Sequence, residues 1–213
     1  MKKGFLLASV LIFISGCQLG DNSAKDYSKV SDVPNPYAKK VAGGVIYPSD
    51  LTLLKDFDSG KFDTIKYENT LRLKSETLVN TIRNLPLQCN DNKASSGKAN
   101  CIVYNSALES IAKKSNKEIA DVDDITYSTK SIKQLASISG YKGGSVKKAS
   151  LSFNFDSNNK DRILTKILEE AIRSTEGSCS IIMNKKMTNY GMAYTTKEID
   201  GNNKVYATIV LGE

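Results

Sequence analysis

The sequence predicts an α+β domain, a three-layer α-β-α sandwich, behind a lipid-anchored N-terminal tether. Three observations carry this. Apolar residues recur at helical spacing in the first half of the folded part. A second strongly periodic helix lies near residue 165. The last stretch alternates like strands but is apolar on both faces, as in a sheet covered on both sides.

Residues 1–16 form the leader. Lys2 and Lys3 are its positive start, and Phe5 to Ile14 is an apolar run broken only by Ser9. A stable span needs about 20 apolar residues, so this is a signal peptide and not a membrane helix. Ile14-Ser15-Gly16-Cys17 resembles the bacterial lipobox, which implies cleavage before Cys17 and diacylglycerol on its thiol. Each buried methylene of such a lipid contributes about 0.8 kcal/mol, and stable anchoring takes more than one chain. The expected partner of Cys17 is therefore a membrane, in a bacterial cell envelope. Gln18, which is not Asp, favours the outer over the inner membrane in Gram-negative sorting. Residues 17–43, with Pro34 and Pro36, read as a flexible tether of about 30 Å root-mean-square span. Residues 44–69 read as an extension packed on the domain, and 70–213 as the domain itself.

Within the domain, Leu71, Leu78, Val79, Ile82 and Leu85 predict a helix over 68–85, ended by Pro86. A polar loop, Asn90 to Asn100, follows. Ser106 and Glu109 have capping-box spacing, and Leu108, Ile111, Ala112 and Ile119 form one apolar stripe behind them. A shorter helix is expected over 130–139, stopping at Gly140. Ala149 to Phe155 has strand character. Ile163, Leu164, Ile167, Leu168, Ala171 and Ile172 share one face of a helix over 159–174. Tyr190 to Ile199 and Lys204 to Leu211 make a hairpin about Asp200-Gly201-Asn202-Asn203.

Charge and cysteines bound the function. The chain carries +7, or +5 without Lys2 and Lys3, and the lysines are spread along it rather than gathered in a stripe with aromatics. A solvated basic surface is expected, and no nucleic-acid partner. Cys89, Cys101 and Cys179 follow Cys17. An exported chain keeps disulfides, so one bridge and one leftover thiol are expected, and sequence alone leaves three pairings open.

Several segments, taken in order, resemble the CAP superfamily of cysteine-rich secretory, antigen-five and pathogenesis-related proteins. Leu78-Val79-Asn80-Thr81-Ile82-Arg83 resembles its first-helix motif. Tyr104-Asn105-Ser106-Ala107-Leu108 with Ala112-Lys113-Lys114-Ser115 resembles its second. Gly140-Tyr141, Glu176-Gly177-Ser178-Cys179-Ser180-Ile181-Ile182-Met183-Asn184 and Tyr190-Gly191-Met192-Ala193-Tyr194 resemble the segments that follow. The resemblance covers about residues 70–212 and implies an α-β-α sandwich. It also implies a bridge between Cys89 and Cys179. The competing pair, Cys89 with Cys101, would staple only the polar loop, and Cys101 is otherwise expected as a buried free thiol.

The departures are in the cleft, where the family carries two His and two Glu able to hold a metal. This chain has no His. Ser178 stands at one histidine position, Thr126 or Tyr127 at the other, and Lys148 at a glutamate position, where it would repel a cation. The tetrad is degenerate at Tyr127, Lys148 and Ser178, and no cofactor, metal ligand or catalytic residue is assigned.

Other chemistry is weakly indicated. Ser145 and Lys148 have S-x-x-K spacing, but so do Ser95 with Lys98, Ser110 with Lys113 and Ser157 with Lys160. Asp56-Phe57-Asp58-Ser59-Gly60 lacks the further ligands of a calcium loop. Asp121, Asp123 and Asp124 read as a solvated helix end, Glu169 and Glu170 as exposed, and Tyr190 and Tyr194 as packing residues. Without His, the usual side chain for proton transfer near neutral pH, the chain reads as non-enzymatic. The expectation is an envelope lipoprotein displaying a CAP-like domain that binds a small ligand, lipids included, or a protein. A hydrolase using residual cleft groups and a structural lipoprotein are the alternatives.

Overall fold

The computed structural model describes residues 70–85, 87–90, 99–156 and 162–213. The leader, Cys17, the tether 17–43, the extension 44–69 and the acidic group Asp56–Gly60 lie outside the described residues. No described helix is long and apolar enough to cross a membrane.

The stripe Leu78, Val79, Ile82 and Leu85 is buried along and just past helix α1, Thr70–Arg83. The helix ends as Leu85 N–H turns back to the Ile82 carbonyl at 3.0 Å, in a tightened last turn before Pro86. The next element is a two-residue strand, β1, Val103–Tyr104. Helix α2, Ser106–Val122, follows directly. Its cap corrects the expected capping box. Asn105, still extended at φ −134°, accepts from the amides of Ala107 and Leu108 at 3.0 and 3.2 Å. Ser106 is already helical, and the Glu109 carboxylate is engaged elsewhere. Leu108, Ile111, Ala112 and Ile119 are fully buried.

Helix α3, Ile132–Ile138, carries the capping box, formed by Ser131 and Gln134. It stops at Gly140, whose φ of +72° suits glycine. Strand β2, Val146–Asn154, begins three residues earlier than its apolar pattern, because Val146, Lys147 and Lys148 pair with Gly212, Leu211 and Val210. In helix α4, Ile163–Arg173, all six predicted apolar residues are buried. The five-residue helix α5, Ser178–Ile182, is too short to show a period in sequence. Strands β3, Asn189–Ile199, and β4, Asn202–Gly212, form the hairpin. Its turn is tighter than the four-residue cluster suggests. Only Asp200 and Gly201, at φ 51° and 76°, separate the strands, the geometry whose twist matches them.

The sheet order is β1-β3-β4-β2, with β1 parallel to β3 and the other pairs antiparallel. Strand alternation sorts the layers. Ala193 and Val210 pack on Leu108, Ile111 and Ala112 of α2 and on Leu135 and Ala136 of α3, with Val146 beside them. The opposite parity, including Met192, Ala207, Ile209 and Leu211, faces the layer of α1, α4 and α5. Gly191 lets α2 settle on β3: a Cβ there would lie 2.2 Å from the Glu109 nitrogen. The fold is a three-layer α+β sandwich.

Candidate functional site

Helix α1 buries a second stripe beside its apolar one, and it is polar. Glu76, Asn80 and Arg83 recur at i, i+4 and i+7, and all three are buried. Their partners are successive backbone groups of residues 100–104. Glu76 accepts from the Tyr104 amide at 3.1 Å. Asn80 donates to the Ile102 carbonyl at 2.9 Å and accepts from the Ile102 amide at 2.8 Å. Arg83 donates to the Asn100 carbonyl at 2.7 Å. The same guanidinium reaches the carbonyls of Ile182, Asn184 and Met187. Residues 100, 102 and 104 point these groups away from β3, since Val103 and Asn105 donate inward to Thr188 and Tyr190. The side chains of α1 thus act as a surrogate strand that closes the β1 edge. Burial lowers Arg83 to about 10, which leaves it charged at neutral pH. Burial raises the Glu76 carboxyl, and the Tyr104 amide opposes it.

Next to this ladder is a cluster of titratable groups on Glu109. Its carboxylate accepts from the Tyr104 hydroxyl and pairs with Arg72 at 2.9 Å and Lys113 at 3.0 Å. The Arg72 guanidinium stacks 4.7 Å from the Tyr104 ring centroid. Burial works to raise Glu109, but hydrogen bonds from Tyr104, Lys113 and Arg72 hold it below the ordinary carboxylate value. Burial, then the bond and charge of Glu109, push the Tyr104 phenol up to about 12. A carboxylate fixed in the charged form beside a phenol fixed in the neutral form is a structural pair. Neither is poised to exchange protons near pH 7.

The three degenerate-cleft positions stand apart from that cluster. Tyr127 lies in the loop after α2, 41% exposed. Lys148 is half-buried on β2, on the α2 side of the sheet, where burial lowers its ammonium and Glu118 opposes the shift. Glu118 is engaged by Thr129 and Ser128, next to Tyr127, so Tyr127, Glu118 and Lys148 belong to one region. Ser178 opens α5 in the other helical layer and is buried. Among the described residues, no three His, Cys, Asp or Glu are grouped to hold a metal ion.

Cys89 and Cys179 are bridged, with Cα atoms 5.6 Å apart, tying the segment after α1 to α5. Cys101 corrects the free-thiol expectation. It is itself disulfide-bonded in the structure, a bond that lipid on the sole remaining cysteine, Cys17, would exclude from the mature protein. A hollow of about 260 Å³ lies between the end of β2 and α4, lined by Asn154, Phe155, Asp156, Arg162, Lys166 and Glu169 with Thr165. It is open, and every lining residue but Phe155 is polar or charged. Glu169 and Glu170 are half-buried and share Lys166, at 3.7 and 2.7 Å, rather than standing free in solvent. Tyr190 is fully enclosed as a packing residue.

Sequence reasoning missed the polar stripe and the Glu109 cluster. The spacing of Glu76, Asn80 and Arg83 was a usable signal. Glu109 was hidden by its fit to a capping box.

No family model matches the chain, and no curated protein matches it. Among solved structures it is similar to an outer surface protein from Borrelia burgdorferi, at 12% identity and a TM-score of 0.47, covering 70% of this chain and 96% of that one. It is also similar to an extracellular protein containing an SCP domain from Bacillus anthracis str. Ames, at 13% identity and a TM-score of 0.43, over 70% of this chain and 45% of that one. Na-ASP-1 matches at 12% identity and a TM-score of 0.37, over 69% and 38%. The chain therefore spans less than half the length of the last two. Likeness at this level assigns no family, and the sandwich architecture rests on the chain's own sheet and helices.

Proposed function

We propose that this chain is a cell-envelope lipoprotein, anchored through lipid on Cys17, whose CAP-like domain binds a protein partner and performs no catalysis. The observation that carries the reading is the engagement of Glu109. Its carboxylate is committed to neighbouring side chains, paired to Arg72 and Lys113 and bonded by Tyr104. The polar side chains of the first-helix motif, Asn80 and Arg83, are likewise committed to backbone groups. The hollow beside α4 is open and lined mostly by polar and charged residues, which supports a protein contact over an enclosed small-molecule site. The lipobox at Cys17 and the tether support display at the envelope, with the outer membrane favoured by Gln18.

The test compares the purified lipoprotein with its Glu109→Gln variant on ester, peptide and glycosidic substrates, before and after dialysis against a chelator. The reading expects no turnover above buffer in any arm and no stoichiometric divalent metal. Turnover that disappears in Glu109→Gln, or on chelation, would replace it with an enzyme.

A further inference from the structure

The two edges of the sheet are treated differently. At β1 the outward amide of Tyr104 is capped by Glu76, and the neighbouring outward groups are met by Asn80 and Arg83. At β2 the register decides which groups point out. Glu213 N–H donates to the Ser145 carbonyl at one end, and Phe155 N–H to the Asn203 carbonyl at the other. Both lie in the frame that pairs Val146 with Gly212 and Asn154 with Lys204. In an antiparallel ladder the odd residues of β2 therefore bond to β4. The even ones, Val146, Lys148, Ser150, Ser152 and Asn154, turn their amides and carbonyls to the free edge. Among the described residues, none of those backbone groups has a partner. The edge is nine residues long, about 30 Å at strand rise.

Exposed strand edges are templates for another strand, and folds usually shorten or cover them. Among the described residues, the short one is covered and the long one is left. Its charge says what fits. Lys147 is exposed and Lys148 half-buried, with Lys142 just before them. None of the ion pairs among the described residues involves these three lysines. Glu118, the carboxylate that acts on Lys148, already accepts from Thr129 and Ser128. Ser150 and Ser152 are small, so an added backbone can approach closely.

We propose that β2 is a strand-addition site that takes an extended acidic segment of a partner protein. Its main chain pairs with the five outward residues, and its carboxylates meet Lys147 and Lys148. This deepens the protein-binding reading and rests on it.

The test is amide hydrogen exchange, read by NMR on the mature lipoprotein in detergent micelles. The probe is a synthetic peptide of alternating valine and glutamate, matched to the length of β2. In the free protein the amides of Lys148, Ser150 and Ser152 should exchange fast, and those of Ala149 and Leu151 slowly. Saturating peptide should slow the first set at least roughly tenfold, whereas a valine-lysine peptide should leave them unchanged. Ser150→Pro removes an outward N–H that the ladder with β4 does not use, so it should abolish the protection while the rest of the spectrum persists. Lys148→Glu is the second variant, and it should weaken the acidic peptide about tenfold and admit the basic one. Outward amides already protected in dilute free protein would overturn the proposal. So would equal binding of both peptides, or no protection by either. Protection that rises with protein concentration alone would assign the edge to a second copy instead. None of these outcomes touches the turnover test, so the edge can fail while the non-catalytic reading stands.

Discussion

Asn80 and Ile102 exchange two hydrogen bonds, the side-chain amide of one matching the backbone carbonyl and amide of the other at 2.9 and 2.8 Å. A helix side chain here does what a neighbouring strand would do. Asn80→Ala leaves a buried N–H and C=O unmet, which costs about 2–4 kcal/mol. Urea denaturation should show a lower midpoint with an unchanged slope. Asn80→Asp keeps the acceptor and loses the donor, so it should fall between the two. Equal stability of Asn80→Ala and the native chain would remove the edge-sealing role.

The acid response should split between two neighbouring carboxylates. Glu109 is held below its ordinary value in the fold. Its contribution is present above the unfolded value near 4.5 and is lost as pH falls through the folded one. Glu76 is shifted up, so its ionisation opposes folding above that pH. Glu109→Gln should lower stability near pH 7 by roughly 1–2 kcal/mol and flatten the loss on acidification. Glu76→Gln, whose carbonyl can still accept from Tyr104, should hold or raise stability near pH 7. Thermal melts between pH 3 and pH 8 read both effects.

The Cys89–Cys179 bridge spans a sequence separation of 90, for which chain entropy gives about 4–5 kcal/mol as an upper figure. Peptide mapping of the lipidated protein without reduction should recover one cross-linked pair, joining those cysteines. Reduction should lower the melting temperature, and the Cys89→Ala, Cys179→Ala double variant should match the reduced protein. A cross-link from Cys89 to Cys101 would contradict the structure directly.

Much of the architecture is legible in the sequence because it rests on periodicity. The stripes of α1, α2 and α4 and the doubly apolar alternation of β4 each report a covered face. What was not legible depends on partners far along the chain. Asn105 and Ser106 are both good caps, and only the extended backbone running out of β1 places the helix start after Asn105. Glu76 looks like any surface carboxylate until the Tyr104 amide is brought to it. The start of β2 at two lysines follows from register with β4, which no local pattern encodes. Helix α5 is shorter than any period. Lys148 and Ser178, brought together by motif resemblance, lie on opposite faces of the sheet, since strand parity turns Lys148 to the α2 side while Ser178 sits in the helical layer of α5.

The central claim is that this domain is held to a membrane through Cys17, and the mass of the mature N-terminal peptide tests it most directly. Membrane-extracted protein should yield a peptide that begins at Cys17 and carries the mass of diacylglycerol, with or without a further acyl chain. A Cys17→Ser chain should yield no acylated peptide. Recovery of peptides from residues 1–16 in the mature protein, or of an unmodified Cys17 from the membrane fraction, would contradict the account.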